Sequence, residues 1–411
     1  MMRLDALIFG GGAAGLWLLD RLSRDGHHVL LLEAHALGAG QTIASQGIIH
    51  SGMKYTLTGL LTQSAKTVRE MSLVWRDSLL GRSTPNLSHT QLRSGFCLQW
   101  HADTLVARAG AMGPRYAMLP KPETVSMHER PAVLSGVFGV VARTPEQVIA
   151  PRSFIQDLAN QYRDRILKID AKAGMEFELE SPGEVAAVRL TSPADQSTLE
   201  LKPRQVIFTA GAGNSQLRKH AGLSADLMPR RPLRMVLVRG DLPELNGHCL
   251  DGTKPRVTIT SEKDQQGRMV WQVGGEFAEE SIRIDEKTLT ERARSELSIA
   301  LPGVGLRHAE WSTYAVDHAE GAMASGAGLE SIQVLCAGNV TTGWPTKLAL
   351  APILAQEIAS RARAPYVMTA FDTTPFVHWP RPSVAQLPWD EAGRRWWQVA
   401  ESTGFELRRA A

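Results

Sequence analysis

Residues 4–15 read Leu4-Asp5-Ala6-Leu7-Ile8-Phe9-Gly10-Gly11-Gly12-Ala13-Ala14-Gly15, an apolar run that ends in a glycine-rich turn. The pattern predicts a buried strand over residues 4–9, a helix over residues 13–25 and a second strand over residues 28–32. Two strands joined by a helix imply a parallel sheet that helices cover. We therefore expect an α/β fold class, α+β over the whole chain.

The glycines of this turn have the spacing G-x-G-x-x-G. Gly10 permits a tight turn, Gly12 lets the backbone approach a pyrophosphate, and Gly15 lets the helix pack closely on the strand. The N-terminus of the helix then offers free N–H groups to phosphates. Glu33, at the end of the second strand, can accept hydrogen bonds from both ribose hydroxyls and would repel a 2′-phosphate. The pattern predicts a Rossmann-like site for the ADP half of a dinucleotide other than NADP, and the alternative is a glycine-rich turn without a ligand.

The middle of the chain has a different pattern. Short apolar runs at residues 236–239, 257–261 and 269–273 predict antiparallel strands, whereas residues 205–209 and 332–336 predict parallel strands that are each followed by a helix. An antiparallel-sheet domain is therefore expected to be inserted into the nucleotide-binding domain. The expected boundaries are 1–85, 145–220 and 328–374 for the nucleotide-binding domain, 86–144 and 221–327 for the substrate (cap) domain, and 375–411 for a tryptophan-rich tail.

Composition excludes several classes of protein. The 411 residues carry a formal net charge of +3 without a Lys/Arg run, so no nucleic-acid partner is expected. The three cysteines form no CxxC pair, which favours reduced thiols in a cytoplasmic protein and supports neither a disulfide framework nor a metal site. We expect no signal peptide and no membrane span. The tail tryptophans leave two alternatives open, a peripheral membrane contact and packing on the protein itself.

The segment after Glu33 bears on the choice of cofactor. Residues 34–55 are small, polar and glycine-rich, as a cofactor that extends beyond its pyrophosphate requires. Within them, Ser45-Gln46-Gly47-Ile48-Ile49-His50-Ser51-Gly52-Met53-Lys54-Tyr55 resembles a Ser-x-Gly-x-x-His-x-Gly-x-x-Tyr pattern. The sequence thereby resembles the D-amino-acid-oxidase-type family of FAD-dependent oxidoreductases, and in this segment its 2-hydroxyglutarate and glycerol-3-phosphate dehydrogenase branches.

Three later segments, residues 147–152, 206–213 and 338–358, extend the resemblance over most of the chain. In the family these segments re-enter the FAD domain, contact the cofactor and close over the flavin. The resemblance implies FAD as the cofactor. The residues implied to bind it are Gly10, Gly12, Ala13, Ala14, Gly15, Glu33, Ala34, Thr42, Ser45, Gln46, Gly47, Val148, Ala210, Gly211, Gly338, Gly343, Trp344, Pro345, Thr346 and Lys347. For Lys347, charge stabilisation of the reduced flavin and an exposed position at a helix start are equally open.

In this family the flavin takes a hydride from a C–H bond next to nitrogen or oxygen, while the protein orients the substrate. We expect His50 to accept the hydroxyl proton of an alcohol substrate. It could instead be structural, position the substrate only, or attach the flavin covalently. Tyr55 and Lys54 are candidates for contact with a substrate carboxylate, and Tyr314 is a candidate for the substrate pocket. Surface or core packing is the alternative for each of them.

Amine-oxidising relatives carry a Trp-x-Gly-x-Arg-Pro type run whose arginine grips the substrate carboxylate. The corresponding residues 311–317 of this chain contain no arginine, although Arg307 lies just upstream. The resemblance therefore favours a dehydrogenase or oxidase of a small 2-hydroxy acid or polyol phosphate over an oxidase of an amino acid or secondary amine. A non-catalytic flavin-binding subunit is the third hypothesis. Oxygen, a quinone or a redox partner is the expected electron acceptor.

Overall fold

The predicted strand–helix–strand unit is present in the computed structural model. Strand β1 (Met2–Phe9) leads through the glycine turn into helix α1 (Ala13–Arg24), and β2 (Val29–Glu33) returns parallel to β1. Strands and helices both contribute, and the sheets are of parallel and antiparallel type, so the expected fold class is confirmed. The structure describes residues 1–52, 63–102, 122–226, 230–251, 254–279, 284–319, 332–345, 347–366 and 370–399.

The strands and helices of the described residues were numbered in chain order. The strands are β1 (Met2–Phe9), β2 (Val29–Glu33), β3 (Ile48–Ile49), β4 (Leu92–Ser94), β5 (Cys97–His101), β6 (Glu123–Val125), β7 (Val141–Thr144), β8 (Gln147–Ile149), β9 (Ile166–Lys168), β10 (Met175–Ser181), β11 (Glu184–Thr191), β12 (Thr198–Phe208), β13 (Arg230–Gly240), β14 (Gly247–Asp251), β15 (Lys254–Lys263), β16 (Met269–Gly274), β17 (Glu310–Ala319), β18 (Ile332–Ala337), β19 (Val340–Pro345) and β20 (Trp397–Gln398). The helices are α1 (Ala13–Arg24), α2 (Gln41–Ala44), α3 (Gln63–Leu79), α4 (Pro151–Gln161), α5 (Asn214–His220), α6 (Glu276–Glu279), α7 (Glu286–Ala300) and α8 (Ala351–Ser360).

The described strands form one eight-stranded, one nine-stranded and one three-stranded sheet. The first has the order β10-β11-β12-β1-β2-β9, with β19 parallel to β12 and paired with β18. The second has the order β20-β17-β13-β16-β15-β14-β5-β7-β6, and most of its pairs are antiparallel. The third, β3-β8-β4, contains the two residues that immediately precede His50. The glycine turn lies at the carboxyl end of β1, where open α/β sheets place their ligands.

Helix packing holds the carboxyl end of β1 in place. The apolar face of α1 packs with side chains of α3, α4 and α8, including Trp75, Phe154 and Leu354. The rings of Trp17 and Trp75 lie 4.6 Å apart, and Phe154 packs against both. Complete burial of one such side chain contributes about 1.5–3 kcal/mol. This core anchors the start of α1 and therefore the turn that precedes it.

One element differs from the prediction. Residues 332–336 were expected to form a parallel strand followed by a helix, but they belong to β18, which runs antiparallel to β19. It is β19 that lies parallel to β12, and α8 follows only after β19. The chain reverses at Gly338, whose φ of +58° favours glycine, and the neighbouring Asn339 side chain bonds the backbone of Val185 at 2.8 and 2.9 Å. This long-range contact selects a hairpin where the local pattern indicates a crossover.

The tail tryptophans pack on the protein. Strand β20 pairs with β17, Trp379 donates from Nε1 to the carbonyl of Lys168 at 2.8 Å, and Trp397 donates to the hydroxyl of Thr290 at 3.2 Å. Trp389 is buried. These contacts favour packing over the membrane-surface alternative. Among the described helices, none combines the length and apolar character needed to cross a bilayer.

Sheet membership is the basis on which we propose the domain boundaries. Strands from the two expected insertion segments build most of the nine-stranded sheet, and strands from the other segments build the eight-stranded sheet. The proposed nucleotide-binding segments are 1–85, 145–220 and 328–374, the proposed substrate segments are 86–144 and 221–327, and the tail from 375 adds β20 to the second sheet.

The contact between α1 and the glycine turn supplies a test of the fold. A Cβ on Gly15 would lie 1.9 Å from the carbonyl oxygen of Gly10 and 2.7 Å from Oγ1 of Thr209. Alanine normally favours a helix over glycine by about 1 kcal/mol. We expect Gly15→Ala instead to lower the free energy of unfolding by about 1–3 kcal/mol, because the overlap forces helix and strand apart. Denaturant unfolding measures the change.

Gly95→Ala is the matched control, because a Cβ on Gly95 has no heavy atom within 4 Å. Equal unfolding midpoints for the two variants would contradict the role assigned to Gly15.

Candidate active site

A cavity of about 1930 Å³ lies between the eight-stranded and nine-stranded sheets. Its wall on the first sheet includes residues 9–14, 32–35 and 209–213, and its wall on the second includes residues 233–235 and 313–316. Pockets for small molecules usually measure about 300–1,000 Å³. This cavity therefore has room for an extended cofactor together with a small substrate.

The glycine turn forms one end of the cavity. Gly10 has a φ of +106°, and a Cβ there would lie 2.5 Å from the Cα of Ala210. Helix α1 begins after Gly12 without a side-chain cap, and Thr42 accepts a hydrogen bond from the N–H of Ala13 at 3.2 Å. The positive end of α1 thus opens on the cavity where the backbone carries no side chains. This arrangement fits a pyrophosphate.

Glu33 lies beside the turn. One of its carboxylate oxygens accepts a hydrogen bond from the N–H of Gly11 at 2.7 Å, and the other accepts one from the N–H of His35 at 2.7 Å. Because each oxygen has two lone pairs, each can still accept one ribose hydroxyl. The backbone bonds hold the carboxylate in the position that recognition of a ribose requires.

Residues 44–46 join the two sheets. The side-chain amide of Gln46 donates to the carbonyls of Thr258 at 3.1 Å and Gln272 at 2.9 Å. The amide of Gln272 and the hydroxyl of Tyr314 both donate to the carbonyl of Ala44, each at 2.8 Å. Gln272 also donates to the Tyr314 oxygen. The segment that leads to His50 is therefore fixed to the nine-stranded sheet.

Tyr314 lines the cavity, as predicted, but its hydroxyl hydrogen bonds within the protein. Burial raises the pKa of Tyr314 above the usual range of a tyrosine, and the hydrogen bond from Gln272 only partly opposes that effect. A phenol that holds its proton this firmly is poorly suited to proton transfer at neutral pH. The contacts give Tyr314 a positioning role for Ala44.

His50 follows β3 and lies at the cavity wall. Its Nδ1 lies 3.2 Å from Oε1 of Glu146, whose side chain is 4% exposed. Oε1 also accepts a hydrogen bond from the N–H of Ser51 at 3.3 Å. Because an ionised carboxylate only accepts hydrogen bonds, Nδ1 of His50 carries a proton and Nε2 is the basic nitrogen. Glu146 thus sets the tautomer of the predicted proton acceptor.

The second oxygen of Glu146 bonds another histidine. Oε2 lies 3.1 Å from Nε2 of His248 and accepts a hydrogen bond from the hydroxyl of Thr144 at 3.3 Å. Nδ1 of His248 lies 2.9 Å from the hydroxyl of Thr258, which also lines the cavity. Burial by itself would raise the pKa of Glu146, but the hydrogen bonds from His248 and His50 outweigh it and hold the pKa well below the usual range. Glu146 is therefore a carboxylate at neutral pH.

The three side chains of this cluster also offer atoms of metal-ligating type, one each, within 4.8 Å of one another. The carboxylate of Glu146, however, already accepts four hydrogen bonds from protein donors, two on each oxygen. While both imidazoles donate to it, the carboxylate of Glu146 has no lone pair left for a cation. The donor set therefore fits proton exchange.

The structure brings most of the predicted site residues together. The ones that line the cavity are Gly10, Gly12, Ala13, Ala14, Glu33, Ala34, Thr42, Ser45, Gln46, Gly47, His50, Ala210, Gly211, Tyr314, Trp344, Pro345 and Lys347. Trp344 is 2% exposed, and its indole N–H has no acceptor among the described residues, so a ligand of the cavity can supply one. Tyr55, Thr346 and Lys54 lie outside the described residues.

Four residues predicted to contact the cofactor lie outside the cavity wall, and each has a structural role. Gly15 lets α1 approach β1, and Gly338 forms the β18–β19 turn. Val148 is buried opposite Ile48 in the three-stranded sheet. A Cβ on Gly343 would lie 2.8 Å from Ile358 of α8. These positions shape the walls behind the cavity.

Sequence reasoning missed Glu146, His248 and Arg394. Glu146 directly precedes residues 147–152, which the resemblance singled out, so that segment was the available signal. His248 lies 102 positions further along the chain and belongs to no local motif. Arg394 lines the cavity from the tail and donates from Nη1 to the carbonyl of Thr313 at 2.6 Å.

Two relatives are similar in sequence to this chain, and the first of them also has a solved structure. Over 394 residues the chain is 34% identical to a probable FAD-dependent oxidoreductase of Pseudomonas aeruginosa, covering 94% of this chain and 98% of that protein. A solved structure of an FAD-dependent oxidoreductase from that organism superposes with a TM-score of 0.78 at 32% identity, over 94% of this chain and 98% of the other. Glycerol-3-phosphate dehydrogenase 1 of Mycobacterium tuberculosis is 32% identical over 110 residues, 26% of this chain and 20% of that enzyme.

An L-α-glycerophosphate oxidase from Mycoplasma pneumoniae, solved with FAD bound, shares the fold at a TM-score of 0.59 and 15% identity, over 95% of this chain and 99% of the oxidase. The family described as FAD dependent oxidoreductase (DAO) matches residues 5–329. The glycine cradle, the placed Glu33 carboxylate and the unpaired Trp344 N–H fit its cofactor, and the predicted family and cofactor are confirmed. The chain belongs to the DAO family of FAD-dependent oxidoreductases.

Proposed function

We propose that this enzyme removes a hydride from the C–H bond next to a hydroxyl group of a small 2-hydroxy acid or polyol phosphate. FAD supplies the acceptor for the hydride, and a further acceptor, which is oxygen, a quinone or a redox partner, takes the electrons onward. The observation that carries the proposal is the placement of His50 at the cavity wall, with Nδ1 bonded to the buried Glu146 carboxylate.

The oxidation of an alcohol releases a proton as well as a hydride. His50 takes this proton at Nε2, because its Nδ1 is already protonated and bonded to Glu146. The resulting imidazolium is stabilised by the carboxylate beside it. An amine substrate can lose its proton to water before oxidation, whereas an alcohol holds its proton far more firmly. A fixed imidazole at the cavity therefore favours the alcohol.

The tail places a cation beside the arginine-free segment 311–317. Arg394 is 10% exposed, lines the cavity and bonds the carbonyl of Thr313, a residue within the arginine-free segment 311–317. The half-exposed Glu391 pairs with the same guanidinium and is screened by solvent. In our proposal Arg394 binds the carboxylate or phosphate of the substrate in place of the missing arginine.

Two relatives support a hydroxylated substrate through their names. The Mycobacterium tuberculosis protein is a glycerol-3-phosphate dehydrogenase, and the Mycoplasma pneumoniae protein is a glycerophosphate oxidase. The first likeness covers a quarter of the chain, and the second concerns the fold alone. Both names agree with the proposal, but its main support is the position of His50 at the cavity wall.

Replacing His50 tests the function. We expect His50→Asn to lower kcat for a 2-hydroxy acid or a polyol phosphate by about 10²–10⁴-fold, because the proton acceptor is lost. The visible absorption of bound FAD should persist, since the glycine turn and Glu33 are untouched. Steady-state turnover with an artificial electron acceptor measures kcat.

His128→Asn is the control, because His128 is exposed outside the cavity. A loss of kcat of less than about tenfold in His50→Asn would be too small for a general base and would overturn the proposal. Turnover of amino acids by the wild type in the absence of any turnover of hydroxy compounds would overturn it as well.

Replacing Arg394 tests the anion contact. A hydrogen bond to a charged group contributes about 1.5–3 kcal/mol, so Arg394→Gln should raise KM for an anionic substrate by about 10–100-fold. The value of kcat should change less, because Arg394 binds a part of the substrate that does not react. Arg395→Gln is the matched control, since Arg395 is the exposed neighbour. An unchanged KM in Arg394→Gln, or an equal rise in both variants, would remove Arg394 from the site.

A further inference from the structure

Glu146 connects two histidines that lie on different elements. Its Oε1 bonds Nδ1 of His50 and its Oε2 bonds Nε2 of His248, at 3.2 and 3.1 Å. The two imidazole rings lie 6.2 Å apart, and the side chains of Glu146 and His248 are both 4% exposed. Four hydrogen-bond donors saturate the carboxylate. The cluster thus joins one negatively charged group to two groups that can each carry a positive charge.

Two arginines on neighbouring strands pair with carboxylates outside the cluster. Arg256 on β15 pairs with Asp251 at 2.7 Å and Glu296 at 2.5 Å, and Arg143 on β7 lies 3.6 Å from Glu123. The other titratable residues on the two strands paired with β14 are Lys254, Glu262 and Lys263 of β15 and Cys97 and His101 of β5, and Glu262 pairs with Arg93. A buried carboxylate requires a compensating positive charge. Among the described residues, the two imidazoles are groups in direct contact with Glu146 that can supply this charge.

We propose that His50 and His248 titrate as one unit through Glu146, with the compensating proton on His248 while His50 is neutral and basic. His248 is the more suitable site for this proton because it is more deeply buried against the anion, and its Nδ1 has the Thr258 hydroxyl as an acceptor. His248 and Glu146 are then positioning residues for His50. The inference rests on the proposed function only where it assigns His50 as the acceptor of the substrate proton.

The cluster can also release a proton after His50 has accepted one from the substrate. When Nε2 of His50 takes a proton from the substrate, two imidazolium groups share one carboxylate, which is unfavourable. The Thr258 hydroxyl, which lines the cavity, can then take the Nδ1 proton of His248 while it releases its own proton to solvent water in the cavity. One proton enters at His50 and one leaves at His248, so the charge of the cluster is restored.

The distance between the rings sets the size of the expected effect. Two unit charges at that separation, in a surrounding of intermediate dielectric constant, shift one another's pKa by about one to two units. A cationic His248 therefore lowers the pKa of His50, whereas Glu146 raises it. Removing His248 should therefore raise the pKa of His50, whereas removing the charge of Glu146 should lower it.

The test is the pH dependence of deuterium exchange at the C2–H of His50, followed by mass spectrometry on the FAD-loaded protein. This measurement reports the imidazole titration without any substrate. His248→Gln, which keeps a donor for Glu146, should raise the midpoint of His50 by about one to two pH units. Glu146→Gln should lower the midpoint. Circular dichroism checks that each variant is folded.

Thr258→Val provides a second test if His248→Gln fails to fold. It removes the acceptor that stabilises the cationic His248, so the midpoint of His50 should rise, while Thr258→Ser keeps the hydroxyl and should match the wild type. An unchanged midpoint of His50 in the folded His248→Gln variant, or in Thr258→Val, would overturn the proposal. Shifts of the predicted sign in an enzyme that oxidises no hydroxy compound would refute the proposed function and leave the coupled pair standing.

Discussion

The site depends on the hydrogen bonds by which Gln46 and Gln272 tie residues 44–46 to the nine-stranded sheet. The same stretch of chain meets the start of α1 through Thr42 and reaches the cavity wall at His50. Its attachment therefore sets the distance between the nucleotide end of the cavity and His50, the proposed proton acceptor. Each buried amide left without a partner would lower the stability of the fold by about 1–3 kcal/mol. These hydrogen bonds therefore fix the position of the two sheets relative to each other at residues 44–46.

The nucleotide half of the site could be predicted because its determinants are local. The glycines, the start of α1 and Glu33 lie within one strand–helix–strand unit. Their spacing is typical of a dinucleotide site at the carboxyl end of a strand. Residues 332–336 show where local patterns fail. An apolar run predicts a strand but not its direction, and the hairpin there depends on contact between Asn339 and the distant Val185.

The chemistry at the other end of the cavity depends on partners that are distant in the sequence. His50 could be identified within its motif, but Glu146 and His248 lie 96 positions and a further 102 positions along the chain. Arg394 reaches Thr313 from 81 positions away. Such pairs arise from the packing of the three sheets, and no local sequence pattern indicates them. The sequence placed Tyr314 at the cavity, as the structure does. Its hydroxyl, however, donates a hydrogen bond to the carbonyl of Ala44, and this distant partner could not be predicted from the sequence.

In the proposed reaction, an imidazole held by a buried carboxylate accepts the proton when a hydroxyl-bearing carbon is oxidised at the flavin. Anaerobic mixing of the FAD-loaded protein with 2-hydroxy acids, polyol phosphates and amino acids tests this claim most directly, with the visible absorption of the flavin as the signal. We expect bleaching by at least one 2-hydroxy acid or polyol phosphate and none by the amino acids. Bleaching by amino acids alone, or by no member of the panel, would contradict it.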